Sequence, residues 1–489
     1  MFGFSQLHSV ENHQNPDSVD KLNMRIQKAG IILLLIIVFV GNRAGNNFSR
    51  TSSGYFTTED SISIYKDSSA LFLPEDVGMN SAILLNIDSI VKDGMNSRAF
   101  PGCRVLVMKD GKTVYNKSFG YYTYESDQKV SEGTLYDLAS LSKTTGTLLA
   151  IMKLYDLGKL KLTDKASMYL AFLSGTDKEN ITITDLLFHE TGLPAGLPFQ
   201  NLAIEKRNTP TFITSTNENK HYVRMNSPTL QYKAELVSNI PAPEFTMQVS
   251  DSFYLHNRFH KEAMQMIANA RMGNKTYLYS CINFILLKEI AETISGIPMD
   301  LFLDKEYFQP MKLNNIAYLP LRKHKREDIA PTLKKDYLRN GMIQGFVHDP
   351  SAAFLGGVSG NAGLFATAID VATIYQMLLN NGEYEGKSYL CAETCKLFTT
   401  TTSVSGRRGL GFDKPVPSKP NNNPCCVSAP QAVYGHTGYT GTCCWVDPVN
   451  KLIYVFLSNR TYPDDGPNKL ASMSIRPKIQ EVIYQSIKK

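Results

Sequence analysis

The strand-forming segments of this chain lie near its two ends, and that distribution limits its folds more than any other feature. CRVLVMK (103–109), Asp110-Gly111 and TVYNKSFG (113–120) form one alternating pair of runs around a tight turn. TCCWV (442–446) and LIYVFLS (452–458) flank Asp447-Pro448 and are expected to pair in the same way. GLGF (409–412) is a further short strand candidate. Between these groups the pattern is mostly helical. Asn80 to Lys92, Leu148 to Leu157, Ile282 to Ile294, Ala366 to Leu379 and Met473 to Ile487 all place apolar residues at helical spacing. Residues 199–275 show no strong period and suggest a helical or irregular insertion. The simplest solution is α+β: one antiparallel sheet built from both ends of the chain, flanked by helices, with a helical subdomain inserted at about 160–350.

The expected organisation has three parts. Residues 1–45 hold a basic segment and an apolar run, 46–75 a spacer rich in Ser, Thr, Gly and Asn, and 76–489 a single catalytic unit. The run Ile31 to Val40 follows Lys21, Arg25 and Lys28, in the basic-then-apolar layout of a secretory signal. With Ala29, Gly30 and Gly41 it reaches 13 residues, against about 20 for a spanning helix. Cleavage and retention as an anchor are both open readings, so the chain is expected to be exported, either periplasmic or held at the membrane through this segment. The net charge of +6 is mild and gives no reason to expect nucleic-acid binding. The eight cysteines fall in C-C and C-x3-C spacings, which do not form a zinc pattern. Cys425 or Cys426 could pair with Cys443 or Cys444, or all could be free thiols. The sequence implies neither a metal nor a cofactor and gives no oligomeric state.

Ser140-Leu141-Ser142-Lys143 is one of several S-x-x-K strings in the chain, and context separates it from the rest. It opens an apolar helical pattern, so Lys143 shares a face with Ser140 and can approach its oxygen. A helix start also offers backbone N–H groups to a developing oxyanion. Serine is a weak nucleophile until a base takes its proton. A lysine with a lowered pKa could do so, as could a tyrosinate stabilised by cations.

At this level the chain resembles the serine β-lactamase and penicillin-binding-protein superfamily, in its class C and esterase-like branch. The resemblance runs over about 95–460 and is carried by six blocks in order: PGCRVLVMKDGKTVYNKSFGYY, DLASLSKTTGT, ITITDLLFHETGLP (181–194), the segment from TYLYSCINF (276–284) to 313, GGVSGNAGLFATAIDVATIYQMLL (356–379) and YGHTGYTGTCCWVDP (434–448). It implies that Ser140 is the acylated nucleophile and Lys143 its cationic partner. Tyr279 would be base toward Ser140 and acid toward the leaving group. His436, Thr437 and Gly438 would line the substrate strand, and the N–H groups of Ser140 and Tyr439 would form the oxyanion hole. Two positions depart from the family pattern. Cys281 stands where an asparagine contacts the substrate, and a thiol is a weak donor and acceptor. His436 stands where lactamases often carry lysine, making the charge there pH-dependent and favouring an esterase or peptidase over a true β-lactamase. Ser359-Gly360-Asn361 is a rival second motif to Tyr279, while His189 is expected to have a structural role in the loop before Gly192. The resemblance therefore implies a serine hydrolase acting on a small-molecule or peptide acyl substrate, such as D-alanyl peptides of the cell wall or short esters. A non-catalytic peptidoglycan-binding envelope protein on the same fold is the alternative from another class.

Overall fold

The computed structural model describes residues 71–207, 230–404, 406–416 and 423–488. They belong to the compact unit that runs from Lys66 to Lys489. Its centre is a five-stranded antiparallel sheet of β1 (Gly102–Lys109), β2 (Lys112–Gly120), β3 (Tyr434–Thr437), β4 (Cys443–Asp447) and β5 (Leu452–Ser458) in the order β3-β4-β5-β1-β2. β5 pairs with β1 from Cys103↔Ser458 to Lys109↔Leu452, so the two ends of the unit close a single sheet. The β1–β2 turn has positive φ at both Asp110 (51°) and Gly111 (75°). That backbone matches the right-handed twist of the flanking strands.

All seven residues of β5 are buried, because both faces of the sheet are covered. Val105, Val107, Trp445, Tyr454 and Phe456 pack on one side, with α1 (Asn86–Asn96) and α6 (Ile475–Ser486). Leu106, Cys444, Ile453, Val455 and Leu457 belong to the core on the other side, with α2 (Leu148–Asp156), α3 (Phe259–Ala268), α4 (Cys281–Ser295) and α5 (Ala368–Leu379). Double burial explains the unbroken apolar run of β5, since neither face faces water. The adjacent Cys443 and Cys444 enter opposite cores, and all eight cysteines are free.

The expected antiparallel sheet flanked by helices, with an inserted helical subdomain, is present, and three details are corrected. Residues 204–255 include short strands, Ile204–Arg207 with Leu230–Tyr232 and Val237–Ser238, Phe253–Leu255 and Met247–Ser250 together. Segments of two to four residues are too short to show a period of two. Residues 409–412 form no strand but bend, with Gly411 at φ 86°. Single bridges join Gly409 to Thr402, and Asp413 both to Arg408 and to Gly435 of β3. Membrane contact through the N-terminal run is also not supported. No helix among the described residues is long and apolar enough to cross a membrane, and the run at 31–40 itself lies outside them.

Candidate active site

The Ser140 segment is wound unevenly. A 3-10 turn spans Ala139–Leu141, a π turn spans Lys143–Thr147, and α2 follows. Ala139 has φ 47°, a left-handed conformation costly for a residue with a Cβ. It is held there by Asp137, whose buried carboxylate accepts from Ala139 N (2.8 Å) and His348 N (2.6 Å). Burial raises the Asp137 pKa, against those two backbone N–H groups. Downstream, Thr147 donates to the Gly360 carbonyl (2.8 Å), and Ser142 accepts from Leu364 N (3.1 Å). A strained turn fixed at both ends presents the Ser140 side chain in one position.

Lys143 is fully buried, and its ammonium donates to Ser140 Oγ (3.0 Å), the Asn361 carbonyl (2.9 Å) and Cys281 Sγ (3.6 Å). Burial opposes its charge, but the neighbouring Cys281 and Tyr279 side chains outweigh burial and hold its pKa above the usual lysine value. Both rival second motifs therefore reach the lysine. Cys281 reaches it through its side chain, and Asn361 through its backbone. Gly360 makes the second approach possible, because a Cβ there would lie 1.8 Å from the Phe284 carbonyl of α4.

Tyr279 precedes α4 and lies half-buried between cations, with its hydroxyl closed off from solvent. Lys143 Nζ lies 5.1 Å from its ring centre, and the Arg408 guanidinium carbon is also 5.1 Å away. Its hydroxyl has no hydrogen bond of normal geometry among the described residues. Burial raises its pKa above the usual tyrosine value, against the pull of Lys143 and Arg408. His189 backs this ring at 4.7 Å, while its Nδ1 accepts from Ser280 N and Asn283 Nδ2, both at 3.1 Å. Its structural role thus lies in the Tyr279 segment as well as at its own left-handed turn (φ 57°).

His436 differs from expectation. It is buried, donates from Nδ1 to the Thr437 carbonyl (2.6 Å) and accepts at Nε2 from Arg408 (3.2 Å). This tautomer is the one its partners allow. Burial, then Arg408 and Lys143, push its pKa well below the usual histidine value, so it stays neutral. The fixed positive charge comes from Arg408, which is buried and ion-paired with Asp413 (2.9 Å). Arg408 was not among the residues the sequence suggested. The only local signal is the Arg407-Arg408 pair ahead of the GLGF segment.

Gly438 follows β3, at a point where a Cβ would meet Thr442 Oγ1 at 2.0 Å and the Leu138 carbonyl at 2.3 Å. Only glycine permits that approach, which brings Tyr439 beside Ser140 at the wall of one pocket of about 220 Å³. A larger cavity of about 630 Å³ lies against α4 and the turn at 319–322 and includes none of the Ser140, Lys143 and Tyr279 group.

The two buried histidines make a testable prediction. Burial, then Arg408 and Lys143, lower the His189 pKa as well. Below the ordinary histidine pKa of about 6.5, the unfolded chain binds protons that the folded chain refuses. Stability must then fall as the pH drops, by up to about 1.4 kcal/mol per histidine per pH unit. Urea unfolding between pH 7.5 and 5 should show this slope, and His436→Asn should reduce it by about one proton. An unchanged slope in the variant would show that His436 titrates normally.

A sheet closed by both ends of the chain, carrying a buried lysine on a serine and a tyrosine between two cations, defines a serine hydrolase of the β-lactamase and penicillin-binding-protein superfamily. The family described as Beta-lactamase matches residues 87–473, and the chain belongs to it. An Escherichia coli K12 protein provisionally named a D-alanyl-D-alanine carboxypeptidase is 29% identical over 435 residues, covering 82% of this chain and 88% of that one. The N-acetylmuramyl-L-alanine amidase of Bacillus subtilis strain 168 is 29% identical over 417 residues, covering 79% and 84%. Among solved structures, EstCE1, a hydrolase with promiscuous acyltransferase activity, superposes with a TM-score of 0.57 at 18% identity, over 82% of this chain and 99% of that one. A penicillin-binding-protein homologue from Caulobacter crescentus gives 0.56 at 18% identity, over 84% and 99%. At such identities these two structures speak for the fold alone.

Proposed function

We propose that Ser140 is acylated by an amide or ester carbonyl, and that water then releases the acyl group. D-alanyl peptides of the cell envelope and short acyl esters are the proposed donors. The observation that carries this reading is the 3.0 Å contact of the buried Lys143 ammonium with Ser140 Oγ, beside a Tyr279 ring flanked by two cations. In this mechanism the Lys143–Tyr279 pair loses one proton, then accepts the Ser140 proton as Oγ attacks the carbonyl. The N–H groups of Ser140 and Tyr439 take the oxyanion, and fixed donors of this kind are each worth about 3 kcal/mol in acyl transfer. Tyr279 returns the proton to the leaving group. Thr437 and Gly438 lie along the substrate, and Cys281 faces it with a thiol where an amide would hydrogen-bond more strongly. Relatives named as a carboxypeptidase and an amidase support an amide substrate.

The test is incubation with a fluorescent penicillin and a p-nitrophenyl acyl ester, followed by peptide mass analysis. An adduct on the Ser140 peptide is expected with at least one of them. No adduct and no turnover with either probe or with muropeptides would favour a binding protein. Nitrocefin turnover far above the ester rate would instead identify a true β-lactamase.

The proposed organisation is a signal segment at 1–45, a spacer at 46–75 and the catalytic unit at 76–489, acting outside the cytoplasm. N-terminal sequencing of the exported protein should find a mature start between about 42 and 75. Recovery of only the full-length chain from the cytosol would overturn export.

A further inference from the structure

The loop between β3 and β4 carries the Tyr439 N–H of the proposed oxyanion hole, and two arginines that the mechanism does not use hold the carbonyls of that loop. Arg460 lies two residues past β5. Its Nε donates to the Tyr439 carbonyl (2.7 Å), and its backbone N–H donates to the Thr440 carbonyl (2.9 Å). Its guanidinium carbon is 4.3 Å from the centre of the Tyr439 ring. Gly441 makes room for its stem. The φ there is 101°, and a Cβ would lie 2.9 Å from Arg460 Cγ. Arg476, on α6, donates to the Thr442 carbonyl (2.8 Å) and, at 3.5 Å, to that of Gly438. The Gly438 carbonyl belongs to the same peptide group as the Tyr439 N–H, and Gly441 N also donates to it (3.1 Å).

Neither guanidinium is ion-paired with a carboxylate among the described residues, although Arg460 is 8% exposed. A buried charge ordinarily has an opposite charge beside it. Here both charges meet carbonyl dipoles of the loop at 438–442 instead. Holding the carbonyls on either side of the Tyr439 Cα fixes the direction of its N–H, and an oxyanion donor must point to where the charge develops. Drawing electron density toward the Gly438 oxygen also makes the N–H of that peptide a stronger donor, because linked hydrogen bonds polarise one another. We infer that Arg460 and Arg476 are positioning residues for acyl transfer, which aim and polarise the Tyr439 N–H without touching the reacting atoms. The inference rests on the reading of Ser140 as nucleophile and Tyr439 as an oxyanion donor.

The test compares p-nitrophenyl acetate with its thionoacetate analogue, whose sulfur is a poor acceptor in the oxyanion position. Both esters are uncharged, so a direct contact between an arginine and a substrate carboxylate plays no part. The wild type should favour the oxygen ester in kcat/KM by about tenfold or more beyond the ratio for hydroxide-catalysed hydrolysis. Arg460→Met should lower kcat/KM for the oxygen ester by about 10- to 100-fold, less than the loss of a whole oxyanion donor. The thiono ester should fall much less, so the ratio moves toward that of hydroxide. Arg476→Met, at a half-buried residue, should act in the same direction and keeps the test decisive if the first variant does not fold. Arg460→Lys keeps the charge and one donor and should restore part of the ratio. Equal losses with both esters would show that the arginines only stabilise the loop, and would overturn the inference while leaving the hydrolase reading standing. A wild-type ratio no greater than that of hydroxide would overturn it as well. Absence of any Ser140 adduct or turnover in the folded wild type removes the hydrolase reading, and the positioning role with it.

Discussion

Ser140→Ala is expected to lower kcat/KM for a p-nitrophenyl ester by about 10⁴- to 10⁶-fold and to abolish the covalent adduct. Without Oγ no acyl-enzyme can form, and only substrate binding and the oxyanion donors remain to help water attack. The variant should fold normally. Ser140 Oγ receives one hydrogen bond, from Lys143, which keeps the Asn361 carbonyl as a partner at 2.9 Å. Circular dichroism and unfolding midpoints close to wild type would separate lost chemistry from lost structure. Retention of more than about a hundredth of the activity in a folded variant would show that another group is the nucleophile. Cys281 would be the first to examine, because its sulfur lies 3.6 Å from Lys143.

Much of this arrangement could be read from the sequence, for physical reasons that differ between elements. β5 was evident because burial on both faces leaves seven apolar or small residues in a row. The Ser140–Lys143 contact was evident because a helical turn fixes the geometry of residues three apart. The π turn from Lys143 leaves that contact in place. Tyr279, Cys281 and His436 came from block resemblance, since nothing in local periodicity links segments so far apart in the chain. The residues that were missed act through tertiary placement alone. Arg408 enters the site because Asp413 pairs with Gly435 of β3, and short backbone bridges leave no periodic trace. The same limit explains His436. Its identity was plain, but its neutrality comes from burial and from a guanidinium 28 positions away in the chain.

Tyr279→Phe is expected to reduce kcat/KM by about 10²- to 10⁴-fold, the usual contribution of a positioned acid–base group. The change removes one oxygen and leaves the ring between Lys143 and Arg408, so packing is preserved. Lys143→Met should cost at least as much, because it also removes a cation that favours the tyrosinate. The double variant should be no more than about tenfold worse than the poorer single, since groups that move one proton together are not additive. Protonation gives a second signature. Lys143 is held above its usual pKa with Tyr279 and Cys281 beside it, and burial holds Tyr279 above its own. The resting pair therefore keeps both protons, and one must leave before Ser140 can lose its own. That loss belongs to the pair rather than to either residue. In the wild type kcat/KM should rise with pH from the neutral into the alkaline range, and Tyr279→Phe should displace or erase that limb. A flat wild-type profile between pH 6 and 9, or additive losses in the double variant, would rule out a shared proton and leave Lys143 with a purely electrostatic role.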